Sequence, residues 1–299
     1  MSSTVTKPLF SMTGYGLASS VWPEGEIIAE IKSINGKTLE ARLSLPRCFS
    51  ALEPELRRLL REKLSRGSVQ LQLSFKAEGG EAFNEERLGT HIAQLKKRCE
   101  EFGLKPEGNL DTFLRILQFD AEEQEGDMAF LEKFRPRVLE CVSKALESLL
   151  SARETEGEKL RNDLLARLIS LRLTIVEIEK LVPGVVEDFR ARLTKQLKEL
   201  SAQAGIDFDP VRILTEVGVF SERADVTEEL TRLKCHSSLY EETLLTGGVV
   251  GRRLDFITQE MFREITTCGN KANSAAISAL VVSLKEELEK MREQAQNIE

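Results

Sequence analysis

Apolar residues recur at steps of four and three along the middle of the chain, and this spacing restricts the possible folds more than any other feature. Such steps place side chains on one side of a helix with 3.6 residues per turn. The positions are Leu160, Leu164, Leu168, Leu171, Ile175, Ile178 and Val182. The pattern predicts nearly continuous helix over residues 131–181, with an apolar seam like that of a coiled coil.

Pro183 and Gly184 follow this seam directly. Proline lacks a backbone N–H, and glycine weakens a helix, so this pair predicts the end of the long helix. Val185 to Leu200 would then form a return arm that completes a long helical hairpin. Two roles stay open for the hairpin, an arm for oligomerisation and a clamp over a ligand.

The first third of the chain alternates between apolar and polar residues, as strands do. Strand patterns occupy residues 9–21, 26–31, 39–45 and 69–75, with a helix between the third and the fourth. Asn35 and Gly36 separate the second and third patterns, and this dipeptide is typical of a hairpin turn. The order of elements is similar to that in the second domain of ribosomal protein S5, which is an analogy of fold only.

The C-terminal third again shows helical spacing only. Helices are predicted over residues 209–222, 225–245, 252–267 and 272–297. The chain is therefore predicted to be an α+β protein with three segments. Residues 1–105 would form an α+β domain, residues 106–205 the helical arm, and residues 206–299 a helical domain with an acidic site.

Composition excludes several classes of protein. With 41% hydrophobic and 30% charged residues, the 299-residue chain is expected to fold rather than to stay disordered. Its net charge of −7 argues against a broad basic surface for duplex DNA, but leaves room for RNA held by a local patch or through a divalent cation. Five scattered cysteines give no metal-ligand spacing. Without a signal peptide or a stretch long enough to span a bilayer, the chain is predicted to be cytoplasmic, with no membrane partner.

One stripe on the predicted helix after residue 225 combines carboxylates with a histidine. It contains Asp225, Glu229, Arg232 and His236. Imidazole titrates near neutral pH, so His236 beside Glu229 can serve as a general base, and the acidic groups can bind metal. The alternative is a capped helix, started by Asp225, with ordinary surface ion pairs.

The next helix has two polar stripes opposite its apolar face. Arg252, Asp255, Gln259 and Arg263 form the first stripe, and Arg253, Glu260 and Glu264 form the second. Carboxylates four residues apart repel each other unless a cation lies between them. Mg²⁺ accepts such carboxylates together with phosphate oxygens, and neighbouring arginines bind phosphate through paired hydrogen bonds. The alternative is a network of salt bridges between helices.

Two further motifs are weaker. Gly157 lies inside the long helix beside Glu154 and Glu156, where it predicts a bend or a close approach of another backbone. Arg66 and Lys37 lie near predicted turns and could form a basic patch for phosphate, or could be ordinary surface charges.

Several of these stretches together resemble the YicC/YloC family of bacterial endoribonucleases. The resemblance rests on residues 11–16, 39–46, 52–54, 66–67, 153–157, 225–236, 250–264 and 291–299. It implies an endoribonuclease that depends on a divalent metal, Mg²⁺ or Mn²⁺, and assembles as a ring-like homo-oligomer, a hexamer. Its substrate would be single-stranded or structured RNA.

The resulting hypothesis is hydrolysis of RNA phosphodiester bonds with metal assistance. His236, Glu229, Glu260 and Glu264 are the candidate catalytic residues. The candidate metal ligands are Asp225, Asp255, Glu260 and Glu264, and the candidate RNA contacts are Arg252, Arg253, Arg263, Arg66 and Lys37. The alternative is a non-catalytic RNA-binding adaptor or an oligomeric scaffold in RNA turnover, in which the carboxylates only form salt bridges.

Overall fold

The computed structural model describes residues 7–23, 25–36, 38–77, 85–101, 128–204 and 210–299. The strands are β1 (Gly14–Trp22), β2 (Gly25–Ile34), β3 (Leu39–Ser44) and β4 (Gly67–Ala77). The helices are α1 (Glu53–Lys63), α2 (Glu85–Glu101), α3 (Met128–Ala204), α4 (Pro210–Arg223), α5 (Thr227–Thr246), α6 (Gly251–Lys271) and α7 (Ala275–Ala295). The α+β class is confirmed, and the four predicted C-terminal helices all form.

The four strands form one sheet in the order β1-β2-β4-β3. β1 and β4 both pair with β2 in antiparallel fashion, whereas β3 pairs with β4 in parallel. The predicted hairpin between β2 and β3 is therefore wrong. The chain leaves β2 at Ile34, and β4 occupies the position beside β2, with the first helix connecting β3 to β4. The similarity to ribosomal protein S5 stays a prediction.

The residues divide into two compact units, Met12–Arg153 and Met1–Ser11 with Glu154–Glu299. The division falls inside α3, and the three-segment division of the sequence stays a prediction about domains. In the first unit, one face of the sheet shares a core with α1 and the first part of α3. Its buried side chains include Ile27, Ile31, Val69, Leu71, Leu56, Leu60, Phe134, Val138 and Leu149. The alternation of apolar and polar residues in the sequence thus predicts this buried face correctly.

Helix α3 runs without interruption through Pro183 and Gly184, so the predicted hairpin with its return arm is wrong. The apolar spacing continues across this pair through Val182, Val185 and Phe189, and Val185 is buried. Burial on both sides of the proline stabilises the helix more than the missing N–H and the ring contact destabilise it.

The predicted seam of α3 is covered by the chain itself. Leu164, Leu168, Leu171, Ile175 and Ile178 are each at most 1% exposed. They share one core with apolar side chains of α5, α6 and α7, among them Leu233, Leu244, Leu254, Ile257, Met261, Leu284 and Leu288. The seam is therefore an internal core of this unit and leaves no apolar surface of its own for a second chain.

Residues near both ends of the chain meet beside α3. Glu299 N donates to Phe10 O at 3.0 Å, and Gly248 N donates to Pro8 O at 3.2 Å. A Cβ on Gly157 would lie 1.9 Å from Leu9 O, which confirms the predicted close backbone approach at this glycine. In the part of the chain that the structure describes, no helix combines the length and the apolar character needed to cross a membrane.

Candidate active site on the C-terminal helices

Helices α5 and α6 run antiparallel, and two ion pairs connect them. Glu229 Oε1 lies 2.7 Å from Lys271 Nζ, and Arg232 Nη1 lies 3.6 Å from Glu264 Oε1. Later positions of α5 thus face earlier positions of α6. We call the residues along this seam the polar row, and they are Glu229, Arg232 and His236 on α5 with Lys271, Glu264 and Glu260 on α6.

The first pair of the polar row lies at the edge of the core. Glu229 is 6% exposed, and its Oε2 is buried without a hydrogen-bond partner among the described residues. The hydrogen bond to Glu229 raises the pKa of Lys271. Burial, and then the charge of Glu229, raises the pKa of the neighbouring Cys268 thiol to about 11, so this thiol stays protonated at neutral pH.

The second pair combines a buried carboxylate with an exposed arginine. Glu264 is 7% exposed, whereas Arg232 reaches into solvent and also bonds Glu228 one turn earlier. A carboxylate this buried needs a positive or donating partner, since an unpaired buried charge is costly. Arg232 is therefore the positive partner of the buried Glu264 carboxylate.

His236 follows next in the polar row. On α5 it lies one turn beyond Arg232, in the direction of the earlier residues of α6, which include Glu260. Its side chain is half-buried and makes no hydrogen bond or ion pair with the described residues. Glu260 pairs instead with Arg263 Nη1 at 3.3 Å. Of the predicted catalytic residues, Glu229 and Glu264 are paired across the seam, whereas His236 and Glu260 lie on the same two helices without a described contact between α5 and α6.

The remaining predicted metal ligands, Asp255 and Asp225, have other hydrogen-bond partners. Asp255 Oδ1 is 3.2 Å from Arg292 Nε, and its Oδ2 accepts from Gln259 Nε2 at 2.8 Å. Asp225 precedes α5, and its Oδ1 accepts from Thr227 N at 2.9 Å. Hydrogen bonds from the Thr227 side chain and backbone lower the pKa of Asp225. The N-cap of α5 is Val226, so Asp225 supports the turn that leads into the helix, and the alternative in which Asp225 itself caps the helix is wrong.

The predicted ligand set does not fit a metal ion in this arrangement. Asp255, Glu260 and Glu264 each face an arginine, and Asp225 faces a backbone N–H. Across the described ranges, no three histidine, cysteine, aspartate or glutamate side chains converge as metal ligands would. We therefore assign no catalytic step to a metal at these residues, and metal dependence stays a prediction.

The predicted RNA contacts lie in different parts of the structure. Arg252 and Arg253 lie exposed in the first turn of α6, and neither forms an ion pair with a described residue. Arg263 is exposed as well, but it pairs with Glu260. Arg66 belongs to the unit that contains the sheet, where its Nε is buried without a partner in the described part of the chain. Lys37 lies outside the described residues.

Lys271 and Arg292 were missed by the sequence interpretation. Lys271 lies seven residues after Glu264, which places it on the same side of the helix and could have revealed it. Arg292 pairs with Asp255 from a different helix, and no spacing within either helix indicates that pair.

Comparison with known proteins covers almost the whole chain. Residues 9–162 match the family described as endoribonuclease YicC-like, N-terminal region, and residues 178–299 match endoribonuclease YicC-like, C-terminal. A Clostridioides difficile protein named probable endoribonuclease YicC is 34% identical over 296 residues, which cover 97% of this chain and 99% of that protein. A Haemophilus influenzae protein with the same name is 33% identical over 294 residues, covering 97% and 100% of the two chains.

Proposed function

Because this chain belongs to the YicC-like endoribonuclease family, we propose that it cuts RNA internally, with the polar row of α5 and α6 as its catalytic centre. The relatives in C. difficile and H. influenzae carry the name probable endoribonuclease, which supports this activity. The observation that carries the proposal is the half-buried imidazole of His236, which has no described partner and lies next to two ion pairs that fix the seam.

His236 supplies the proton transfer in this proposal. The imidazole takes a proton from the attacking water as the water oxygen bonds to phosphorus. The P–O bond to the leaving nucleoside breaks, the leaving oxygen takes a proton from solvent, and the imidazolium later returns its own proton to solvent. Arg252 and Arg253 hold the phosphate, because guanidinium groups donate paired hydrogen bonds to its oxygens.

Glu264, Arg232, Glu229 and Lys271 have a positioning role here. Their ion pairs hold α5 against α6, so that the imidazole keeps a fixed place along the seam. This explains why the buried carboxylates are already neutralised by basic partners. We keep the divalent-cation requirement as part of the proposal, to be tested by removal of the metal with a chelator, without assigning ligands.

Assembly into a homo-oligomer, as a hexamer, is also part of the proposal. Support comes from a second stripe on α3, on the side away from the seam. Ile169, Leu173 and Val176 are 59%, 63% and 40% exposed. Neighbouring exposed apolar side chains mark protein–protein contact sites, and a second copy of the chain is the proposed occupant.

A non-catalytic RNA-binding adaptor is the second candidate function. It is favoured by the pairing of Glu229, Asp255, Glu260 and Glu264 with basic residues, since such pairs are also found in a purely structural network. In that case the charges of the polar row would contribute to stability alone.

Cleavage of an end-labelled RNA by the purified protein separates the two functions. We expect His236→Gln to lower the cleavage rate by about a hundredfold or more, the usual contribution of a general acid or base, with unchanged thermal melting. Ser238→Ala is the matched control, because Ser238 lies two residues away, is exposed and, among the described residues, bonds only Lys234 O. Assays with Mn²⁺ and with a chelator show whether a cation is required.

Carboxylate variants complete this test. Glu264→Gln should reduce cleavage strongly and lower the melting temperature, because Glu264 is buried and its pair with Arg232 holds α5 against α6. Glu260→Gln should have a smaller effect on cleavage, because among the described residues Glu260 pairs only with Arg263 of its own helix. If His236→Gln and both glutamine variants cut RNA at the normal rate, the polar row is structural and the catalytic proposal is refuted.

A further inference from the structure

The last part of α3 carries an open groove, whose described lining lies on one face of this helix and does not include the polar row. The groove has a volume of about 710 Å³ and is lined by Arg190, Thr194, Lys195 and Lys198, with Glu187 and Glu199 at its ends. We call it the basic groove. All of these residues lie on the part of the helix that follows Pro183, beyond the seam that packs against α5 to α7.

The charge of this segment is opposite to that of the chain. Residues 187–199 contain four basic and three acidic residues, in a protein with a net charge of −7, and all four basic residues lie between the acidic ones at the two ends. Arg190, Lys195 and Lys198 are exposed and form no ion pair with the described residues. Lys271 and Arg292, in contrast, are paired with carboxylates. The positive charge of the basic groove is therefore available to an external anion.

Helix geometry keeps these charges together on one side. Val185, Phe189, Leu193 and Leu197 recur at steps of four, with Val185 buried and the others half-buried. The lining residues of the basic groove fall on the opposite side of the same turns. At a rise of about 1.5 Å per residue, Arg190 and Lys198 are about 12 Å apart along the helix, so the groove presents a short row of cations rather than one point charge.

The chemistry of the groove indicates a polyanion rather than a protein. Lysine is depleted from protein–protein interfaces, whose centres contain aromatic and other apolar side chains. Among the described lining residues, no apolar side chain is larger than that of Ala191. Rows of lysine and arginine along a groove are typical of surfaces that bind a nucleic-acid backbone, because each neutralised phosphate releases a counterion.

We propose that the basic groove binds the sugar–phosphate backbone of RNA and so adds a contact to the substrate apart from the polar row. The identification of the polyanion as RNA rests on the proposed function. In an acidic protein, attraction of a phosphate backbone has to come from local groups of cations without ion pairs, and Arg190, Lys195 and Lys198 form such a group between Glu187 and Glu199.

The experiment measures the affinity of the full-length protein for a fluorescent oligoribonucleotide at several salt concentrations. The variant replaces Arg190, Lys195 and Lys198 by glutamine, which keeps helix propensity. The control variant replaces Lys159, Lys180 and Arg223 by glutamine, three exposed cations that likewise form no ion pair with the described residues. Both variants change the net charge equally.

We expect the groove variant to bind RNA about a hundredfold more weakly at 0.1 M salt, with a salt slope lowered by about 2, since each phosphate contact on a single strand contributes about 0.7. The control variant should bind like the unmodified protein. Equal losses in both variants, or an unchanged affinity of the groove variant, would overturn the inference. A groove variant with normal RNA affinity but altered mass in light scattering would show an interface between copies instead.

The assay separates this inference from the proposed function, because binding does not require cleavage. A protein that loses affinity only in the groove variant but never cuts RNA refutes the nuclease and supports the basic groove. If the protein cuts RNA and the groove variant binds RNA with unchanged affinity, the nuclease is supported and the basic groove is refuted.

Discussion

Two glycines in the same helix should respond to the same substitution with opposite signs. Gly157 and Gly184 both lie inside α3. An added Cβ on Gly157 would lie 1.9 Å from Leu9 O, whereas ordinary contact begins at 3.4 Å. An added Cβ on Gly184 meets no atom of a described residue within 4 Å. Alanine is favoured over glycine inside a helix by about 1 kcal/mol, and this gain applies at both positions.

The clash at Gly157 cannot be relieved by a small local movement. The segment that carries Leu9 is held by hydrogen bonds from Gly248 N to Pro8 O and from Glu299 N to Phe10 O, and Arg161 Nη2 donates to Lys7 O. Displacement weakens these bonds, each worth about 1 kcal/mol, and adds the overpacking cost of about 1–3 kcal/mol. After the gain in helix propensity is subtracted, we expect Gly157→Ala to destabilise the protein by about 2–4 kcal/mol.

Urea denaturation, followed by circular dichroism, measures both variants against the unmodified protein. Gly184→Ala should raise the free energy of unfolding by about 0.5–1 kcal/mol, because Gly184 meets no neighbour. The reasoning fails if Gly157→Ala is neutral or stabilising, or if Gly184→Ala is the more destabilising of the two. A neutral or stabilising Gly157→Ala would mean that the N-terminal segment does not hold its close position against α3.

Two further predictions concern assembly and pH. Leu173→Lys places a charge in the exposed stripe of α3, so light scattering should show a smaller particle than the unmodified protein, and an unchanged mass would exclude this stripe from the interface. Asp225→Ala removes the acceptor for Thr227 N and should cost less than about 1 kcal/mol of stability at neutral pH. Hydrogen bonds lower the pKa of Asp225 in the folded protein. The stability that Asp225 contributes is therefore present above the ordinary carboxyl pKa and is lost as the pH falls through the pKa of the folded protein. The Asp225→Ala variant and the unmodified protein should thus melt alike in acid and differ at pH 7.

The elements of this fold were predictable because each is determined by local periodicity. The structure places α5, α6 and α7 close to the boundaries expected from apolar spacing, and the strand alternation of Val69, Leu71 and Leu73 reports the buried face of β4. Strand order was not predictable in the same way. The Asn35-Gly36 signal describes a turn, but it does not say which strand will pair with β2, and β4 comes from a distant part of the chain.

Pro183 shows how tertiary packing overrides a local signal. Proline and glycine together predict an end to a helix, yet the apolar positions on both sides stay in register, and α3 continues. The continued spacing from Val182 to Phe189 was visible in the sequence and outweighs the proline. The segment expected to fold back as a return arm instead carries the basic groove along the same helix.

The polar row could be recognised from the sequence only as two separate stripes, because their pairing depends on how α5 and α6 face each other. The spacing of Glu229, Arg232 and His236 puts them on one side of α5, and that of Glu260 and Glu264 does the same on α6. Which carboxylate is neutralised follows from the antiparallel register, which joins Glu229 to Lys271 and Arg232 to Glu264. His236 has no described partner, whereas its neighbours Glu229 and Arg232 are both paired. This difference is the reason why the proposed proton transfer is assigned to the imidazole. For this reason a loss of activity in His236→Gln without a loss of stability would identify a catalytic site, whereas the buried pairs around it are expected to change both.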